Sequence, residues 1–394
     1  MLKYLCLNQF EMGKKVTFTL LFIAMKKYTI LFIFCFGFCY FGIAQDNDSL
    51  LVDSILNSQE TKFSDSIANY NLQQKNLKLS RDAYNKGIES FELNNFTEAI
   101  HSFSKAISMD SSFLAAYFNR GICYSQISDY DNAIADFSLT FSLDSRHILS
   151  LFKRAEIYRN QNKNNLALTD YKWIIEINDK NYKAYYEQGV ILFLQNNIEE
   201  AIKLYSKSID IKPTANAYND RASCYRNLQQ YEKAISDYKS AILLDENLAF
   251  LYNNLAGIYR LTDDGEKAMN NYTIAITKNP DYEIAYNNRG RLYFELKDYT
   301  SAASDFDKAI TINSDYALAY NNRGILHHKN KNYISAIADF DKAILVDENY
   351  GKAYLNRAIS RQMERNEDGA CADWQKAFDL GIELAKKYLM NDCY

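Results

Sequence analysis

The stretch YNNRGRLYFELKDYTSAASDFDKAI, from Tyr286 to Ile310, returns 34 residues later as YNNRGILHHKNKNYISAIADFDKAI, from Tyr320 to Ile344. A period of this length constrains the fold more than any bulk property. A unit this short cannot bury its apolar face alone and must stack on copies of itself. Placing the glycine of NRG at slot 8 gives nine units, starting at Ser80, Leu114, Ile148, Tyr182, Ala215, Ala249, Glu283, Ala317 and Gly351. All begin 34 residues apart except the fourth, which is one residue shorter.

Within each unit, slots 4, 7, 8 and 11 follow the i, i+3, i+4, i+7 stripe of one helix face, and slots 20, 24, 27 and 28 repeat it for a second helix. Slot 20 is alanine in every unit, from Ala99 to Ala370, slot 24 is always aromatic, and slot 8 is always Gly or Ala. Small residues at slots 8 and 20 let two helices approach closely while the ring at slot 24 fills the space beside them. A larger side chain at slot 20 overpacks that crossing, at a cost of about 1–3 kcal/mol. The chain's two prolines, Pro213 and Pro280, both fall at slot 32, where a helix should end.

The small-small-Tyr pattern of the first helix, the Ala-aromatic-Ala pattern of the second and the 34-residue period resemble the tetratricopeptide-repeat family. The resemblance covers residues 80–381. It implies an all-α fold, a right-handed α-α superhelix of nine helix-turn-helix repeats whose first helices line a concave groove. Thr140 and Ile174 depart from the family pattern at slot 27, where a small residue is usual. Beyond Gly381, residues 382–394 carry one apolar face, which suits a helix capping the open end of the stack.

Nine units in one chain allow an internal comparison. Slot 7 is Arg in six units (Arg120, Arg154, Arg221, Arg289, Arg323, Arg357), and slot 23 is Asp in the same six (Asp136, Asp170, Asp237, Asp305, Asp339, Asp373). The other units carry neither, having Lys86/Ser102, Gln188/Leu204 and Leu255/Asn271. Matched occurrence points to contact, so the sequence predicts an Arg–Asp pair joining the two helices of a repeat. Cys371 and Cys393 lie at matching heights either side of Gly381, and CADWQKAFDLG…C is similar to the last unit of many exported bacterial repeat proteins. A disulfide is expected in an oxidising compartment, with two buried thiols as the alternative. Cys123 and Cys224, three repeats apart, read as core.

Residues 1–44 read as an export signal, with translation starting at Met25. Two lysines precede an apolar stretch, Tyr28–Ala44, and small residues at Gly42 and Ala44 place a cut ahead of Gln45. The bulky Phe34 and Phe38 before Cys35 and Cys39 argue against a lipoprotein. If the signal is retained, this segment is the chain's membrane contact. Residues 45–79, rich in Ser, Asn, Asp and Gln, read as a polar linker. Removing residues 1–44 shifts the net charge from −4 to about −8, which leaves no basic stripe for nucleic acid.

Catalytic chemistry finds no support. The four histidines form no HExxH, and neither a CxxC nor a phosphate-cradling glycine loop occurs, so no enzyme, cofactor or metal is expected. Family geometry instead directs attention to slots 5, 6, 9 and 12 of the first helices. In units one to four these slots hold the apolar half of a groove: Tyr84, Phe91, Phe118, Phe152, Tyr186 and Phe193. In units five to eight they hold Asn219, Asn253, Asn254, Asn287, Asn288, Asn321 and Asn322, with Arg226, Arg260, Arg291, Phe294 and His328. An asparagine array suits an extended peptide, because each amide can donate to a backbone C=O and accept from an N–H. A chaperone-type carboxylate clamp is excluded, since Asn287, Arg291 and Asn356 occupy slots where it needs other residues.

The expected function is a non-catalytic scaffold of the cell envelope that holds an extended segment of another protein in its groove. A glycan-binding groove and a structural subunit of an envelope assembly are the alternatives. Sugar binding should survive loss of the slot-5 asparagines and fail without the groove aromatics; a structural subunit should be indifferent to both.

Overall fold

The computed structural model describes residues 47–393, and nineteen helices account for nearly all of them. The expected export signal lies outside the described residues. Among those residues, no helix is long and apolar enough to cross a membrane. The helices pair consecutively into the nine repeats, and the chain divides into two compact units between Phe113 and Leu114.

The first unit holds repeat one. Its opening helix, α1 (Asn47–Glu92), is 46 residues long and passes through the polar segment into the repeat without a break. No Gly or Pro occurs from Gln45 to Lys86, so nothing in that stretch terminates a helix. Its partner, α2 (Phe96–Met109), lays the fully buried Ala99 and Phe103 against it. At Gly87, a Cβ atom would come within 2.5 Å of the Phe103 ring, which is why slot 8 stays small.

The second unit holds repeats two to nine and the cap. In each repeat the slot-20 alanine is fully buried, and the slot-24 ring, from Phe137 to Trp374, is at most 2% exposed. First helices of successive repeats touch one another along one side, forming the row that positions the candidate site. The last helix, α19 (Glu383–Asp392), follows a turn at Gly381, whose φ of +84° favours glycine, and buries Ala385 and Leu389 against repeat nine.

Two turns recur. Slot 31 carries Asp or Asn in seven of the first eight repeats, and its carboxylate or amide oxygen accepts from the backbone N–H two residues on, as in Arg146 N–H to Asp144 at 2.9 Å. Repeat four has Lys212 there, followed by Pro213, so proline ends that helix in place of the side-chain turn; this is also the repeat one residue short. Slot 15 adopts a left-handed backbone in all nine repeats without a single glycine, including Lys297 (φ 66°), Lys331 (62°) and Arg365 (62°). Left-handed geometry costs a residue with a Cβ about 1–2 kcal/mol. Part of that is offset by the larger chain entropy glycine loses on folding, so Lys297→Gly is expected to raise stability by about 0.5–1 kcal/mol in urea unfolding.

The six predicted Arg–Asp pairs are all present and all bidentate. Arg289, for example, donates from Nε to Asp305 Oδ2 at 2.8 Å and from Nη2 to Oδ1 at 2.9 Å. The remaining guanidinium nitrogen reaches back one repeat to slot 25, at Ser138, Ser206, Thr273, Asp307 or Asp341. Arg154, Arg221, Arg289, Arg323 and Arg357 thus each join three helices. Hydrogen bonding to Asp305 raises the Arg289 pKa above its ordinary value.

Candidate functional site

The expected groove residues of the second unit fall on the row of first helices. The structure pairs its asparagines with one another. The slot-6 Nδ2 of each repeat donates to the slot-5 Oδ1 of the repeat before: Asn254 to Asn219 at 3.0 Å, Asn288 to Asn253 at 2.9 Å, Asn322 to Asn287 at 2.8 Å and Asn356 to Asn321 at 2.9 Å. Tyr186 and Asp220 complete the series one step earlier, through the tyrosine hydroxyl at 2.8 Å. The result is a ladder of five rungs across repeats four to nine.

This geometry separates two roles. Asn253, Asn287 and Asn321 at slot 5 are buried, and their carbonyl oxygens are engaged in holding the next repeat. Each rung contributes about 0.5–1.5 kcal/mol. The slot-6 amides are half-buried, and each keeps a second N–H and acceptor capacity on its carbonyl oxygen beyond the rung, although that of Asn254 already accepts from Asn253 Nδ2 at 3.4 Å. Asp220 takes slot 6 of repeat five, where burial pushes its carboxyl above the usual range while Tyr186 and Asn219 hydrogen bond to it.

Three depressions open along this row. The first, of about 350 Å³, is lined by Phe118, Phe152, Glu156, Arg159, Tyr171 and Glu187 among others. Phe118 packs against Phe137 and His147, Phe152 carries Lys183 Nζ over its ring at 5.3 Å, and Arg159 forms an ion pair with Glu187. The second, of about 480 Å³, joins Val190, Phe193, Tyr205, Asp220 and Arg226. The third, of about 580 Å³, is lined by Arg291, Phe294, Asn321, Asn322, Ile325, Lys352 and Asn356, and by Ile382 and Leu384 from the C-terminal segment.

The remaining expected residues sit as follows. Arg260 bonds Glu295 at 2.9 Å, and Arg291 reaches the same carboxylate at 3.4 Å. His328 Nδ1 lies 2.9 Å from Ser360 Oγ, and burial lowers its pKa. In the first unit, Tyr84 packs between Phe103 and Phe113, and Phe91 meets Phe96 edge-on. Cys371 and Cys393 are joined by a disulfide with their Cα atoms 5.8 Å apart. Cys123 and Cys224 are buried free thiols, pushed up by that burial to about 11 and about 12.

Sequence reasoning missed the rungs and the charged pair Arg159–Glu187 inside the apolar half. The rungs had a signal: asparagines recur at a 35-residue offset, one more than the period, as in Asn253 and Asn288.

Stacked helix pairs with an open row of first helices define a helical-repeat scaffold. Among the described residues, no cluster of His, Cys, Asp and Glu is arranged to hold a metal. The TPR repeat pattern matches residues 290–331, and tetratricopeptide-repeat patterns match residues 84–140, 182–214, 215–248 and 317–350. The chain carries tetratricopeptide repeats, the units of non-catalytic scaffolds for protein–protein interaction. A chain of the APC/C hetero-tetramer Cut9–Hcn1 is similar in fold, at 15% identity and a TM-score of 0.52 over 80% of this chain and 76% of that one. Pseudomonas aeruginosa pilF is 20% identical over 54% of this chain and 97% of its own, with a TM-score of 0.47. YrrB, described as a TPR protein with an unusual peptide-binding site, is 20% identical over 49% and 97%, with a TM-score of 0.40. No curated protein matches the sequence.

Proposed function

We propose that the protein is exported to the cell envelope and holds an extended segment of a partner protein along its row of first helices. The observation that carries this reading is the ladder. Its slot-6 amides recur once per repeat with donor and acceptor capacity left over, which matches a peptide backbone offering N–H and C=O groups at intervals and ignores side chains. The aromatic half supplies apolar anchors beside it. Export rests on the composition of Met25–Ala44 and accords with the Cys371–Cys393 bridge, since disulfides persist in oxidising compartments.

The test is affinity capture from envelope extract by residues 45–394, beside a variant with Asn254, Asn288, Asn322 and Asn356 replaced by Ala. Slot 6 is chosen because these side chains are half-buried, so groove water can satisfy the slot-5 carbonyls left behind. A partner captured by the parent and lost by the folded variant is the expected result; equal capture by both removes the ladder from the binding element. Intact mass of the mature chain checks export, with retention of residues 25–44 counting against it.

A further inference from the structure

The part of α1 that precedes the first repeat has a face of its own. Leu56, Phe63, Tyr70, Leu77 and Tyr84 stand seven residues apart, with Ile67 between the middle two. One such residue in every two turns is too sparse to announce a helix, but on a helix it draws a nearly straight seam. Seven residues fall about 20° short of two full turns, so such a seam stays against a second helix when the two supercoil. Every described side chain from Asn57 to Lys75 is exposed. Phe63, Ile67 and Tyr70, the middle of the seam, are 43%, 42% and 44% exposed. A polar helix standing alone in water gains little from propensity, and burial of an apolar face supplies most of what holds it. Beside the seam, the Ser66 hydroxyl donates to Lys62 O at 2.8 Å, so covering that position strands no donor.

Charge selects the occupant. Residues 47–66 carry Asp48, Asp53, Glu60 and Asp65 against Lys62, a net −3. Residues 67–81 carry Lys75, Lys78 and Arg81 and no acid, a net +3. Two copies set parallel would bring like halves together. Set antiparallel about a two-fold axis near Ser66, each acidic half meets the basic half of the other copy. Lys78 then comes opposite residue 54, beside Asp53, and Lys75 opposite residue 57, within a turn of Glu60. Phe63, Ile67 and Tyr70 gather around the axis, where both copies contribute them.

We infer that the protein self-associates through α1, which pairs antiparallel with the α1 of a second copy of this chain. The paired stretch, residues 53–79, spans about 40 Å at 1.5 Å per residue and leaves the first repeats of the two copies at its opposite ends. The inference does not depend on the groove reading above. It adds that the assembly presents two scaffolds at once, so it is bivalent for a partner with two sites.

The test is analytical ultracentrifugation of residues 45–394 over a concentration series at low and high salt. A reversible dimer, weakened by salt, is expected. Phe63→Gln/Ile67→Gln/Tyr70→Gln changes exposed positions to a good helix former and should leave a monomer whose repeats keep their urea midpoint. Lys75→Glu/Lys78→Glu takes the basic half from +3 to −1 and should weaken the dimer about tenfold, because the two-fold axis counts each contact twice. Adding Asp53→Lys/Glu60→Lys takes the acidic half from −3 to +1 and should restore association. A monomer at every concentration, a species larger than a dimer, or a dimer untouched by the glutamine variant overturns the inference. Charge reversal that tightens the dimer also overturns it, since that is the result for parallel helices. Capture of a partner by the ladder is decided separately in every case.

Discussion

Arg289→Leu is expected to destabilise the protein by about 3–5 kcal/mol, the cost of removing one partner from a buried ion pair. The Arg289 side chain is 17% exposed and the Asp305 side chain 7%, so the stranded carboxylate has little water to turn to. An exposed ion pair would contribute only about 0.2–1 kcal/mol. Besides Asp305, the guanidinium holds Thr273 of the preceding repeat at 3.2 Å and lies 5.7 Å and 5.9 Å from the ring centres of Tyr286 and Tyr293. Its loss therefore loosens a three-helix junction. Repeat six shows how the same site works without charge: Leu255 is buried at slot 7, and Asn271 at slot 23 turns back to donate to Lys267 O at 2.8 Å. Adding Asp305→Asn to Arg289→Leu copies that solution and should recover most of the loss. Urea unfolding of the two single variants and the double variant measures the coupling. Additive losses would mean that the two side chains stabilise the fold independently.

The same comparison explains which features the sequence reveals. Arg and Asp come and go together at fixed slots within one repeat, and a bidentate pair tolerates few substitutes, so the contact is visible as matched occurrence. The third bond of the arginines in repeats three, five, seven, eight and nine is not, because Ser, Thr and Asp all serve at slot 25 and no single residue type marks it. The ladder is intermediate. Asn287 and Asn322 belong to different repeats, so aligning the repeats slot by slot hides a contact that an offset of one repeat plus one residue displays. Function assigned to slot 5 from that alignment overlooked its burial, and the half-buried slot 6 carries the amides with capacity to spare. The long helix α1 was legible only as the absence of a breaker, since a polar composition suits a solvated helix and a loose tether alike. Least legible was the end wall of the third depression. Ile382 and Leu384 read as one face of a capping helix, and only the turn at Gly381 carries them into the groove row.

That wall gives the second large effect. Reducing the Cys371–Cys393 bridge, or replacing Cys371 by Ser, is expected to lower stability by about 3 kcal/mol, the loop-closure value for a bridge of this span; the two cysteines are 22 residues apart. In a stack whose repeats touch only their neighbours, the loss should stay local. Protection of amides from hydrogen exchange should fall across residues 351–392, with repeats two to seven unchanged. The Trp374–Tyr388 stack and the buried Ala385 and Leu389 still hold the cap helix, so reduction should fray it rather than release it outright. Residues 45–394 contain four cysteines, of which Cys123 and Cys224 are buried with thiol pKa values near 11 and 12. Few thiolates exist there at neutral pH in the folded chain, so exchange with the bridge is slow before unfolding, and denaturing in the presence of a thiol-blocking reagent keeps the count unambiguous. Two free thiols before reduction and four after it are expected, together with the local loss of protection. Four thiols before reduction, or identical exchange with and without reductant, would show that packing alone fastens the wall.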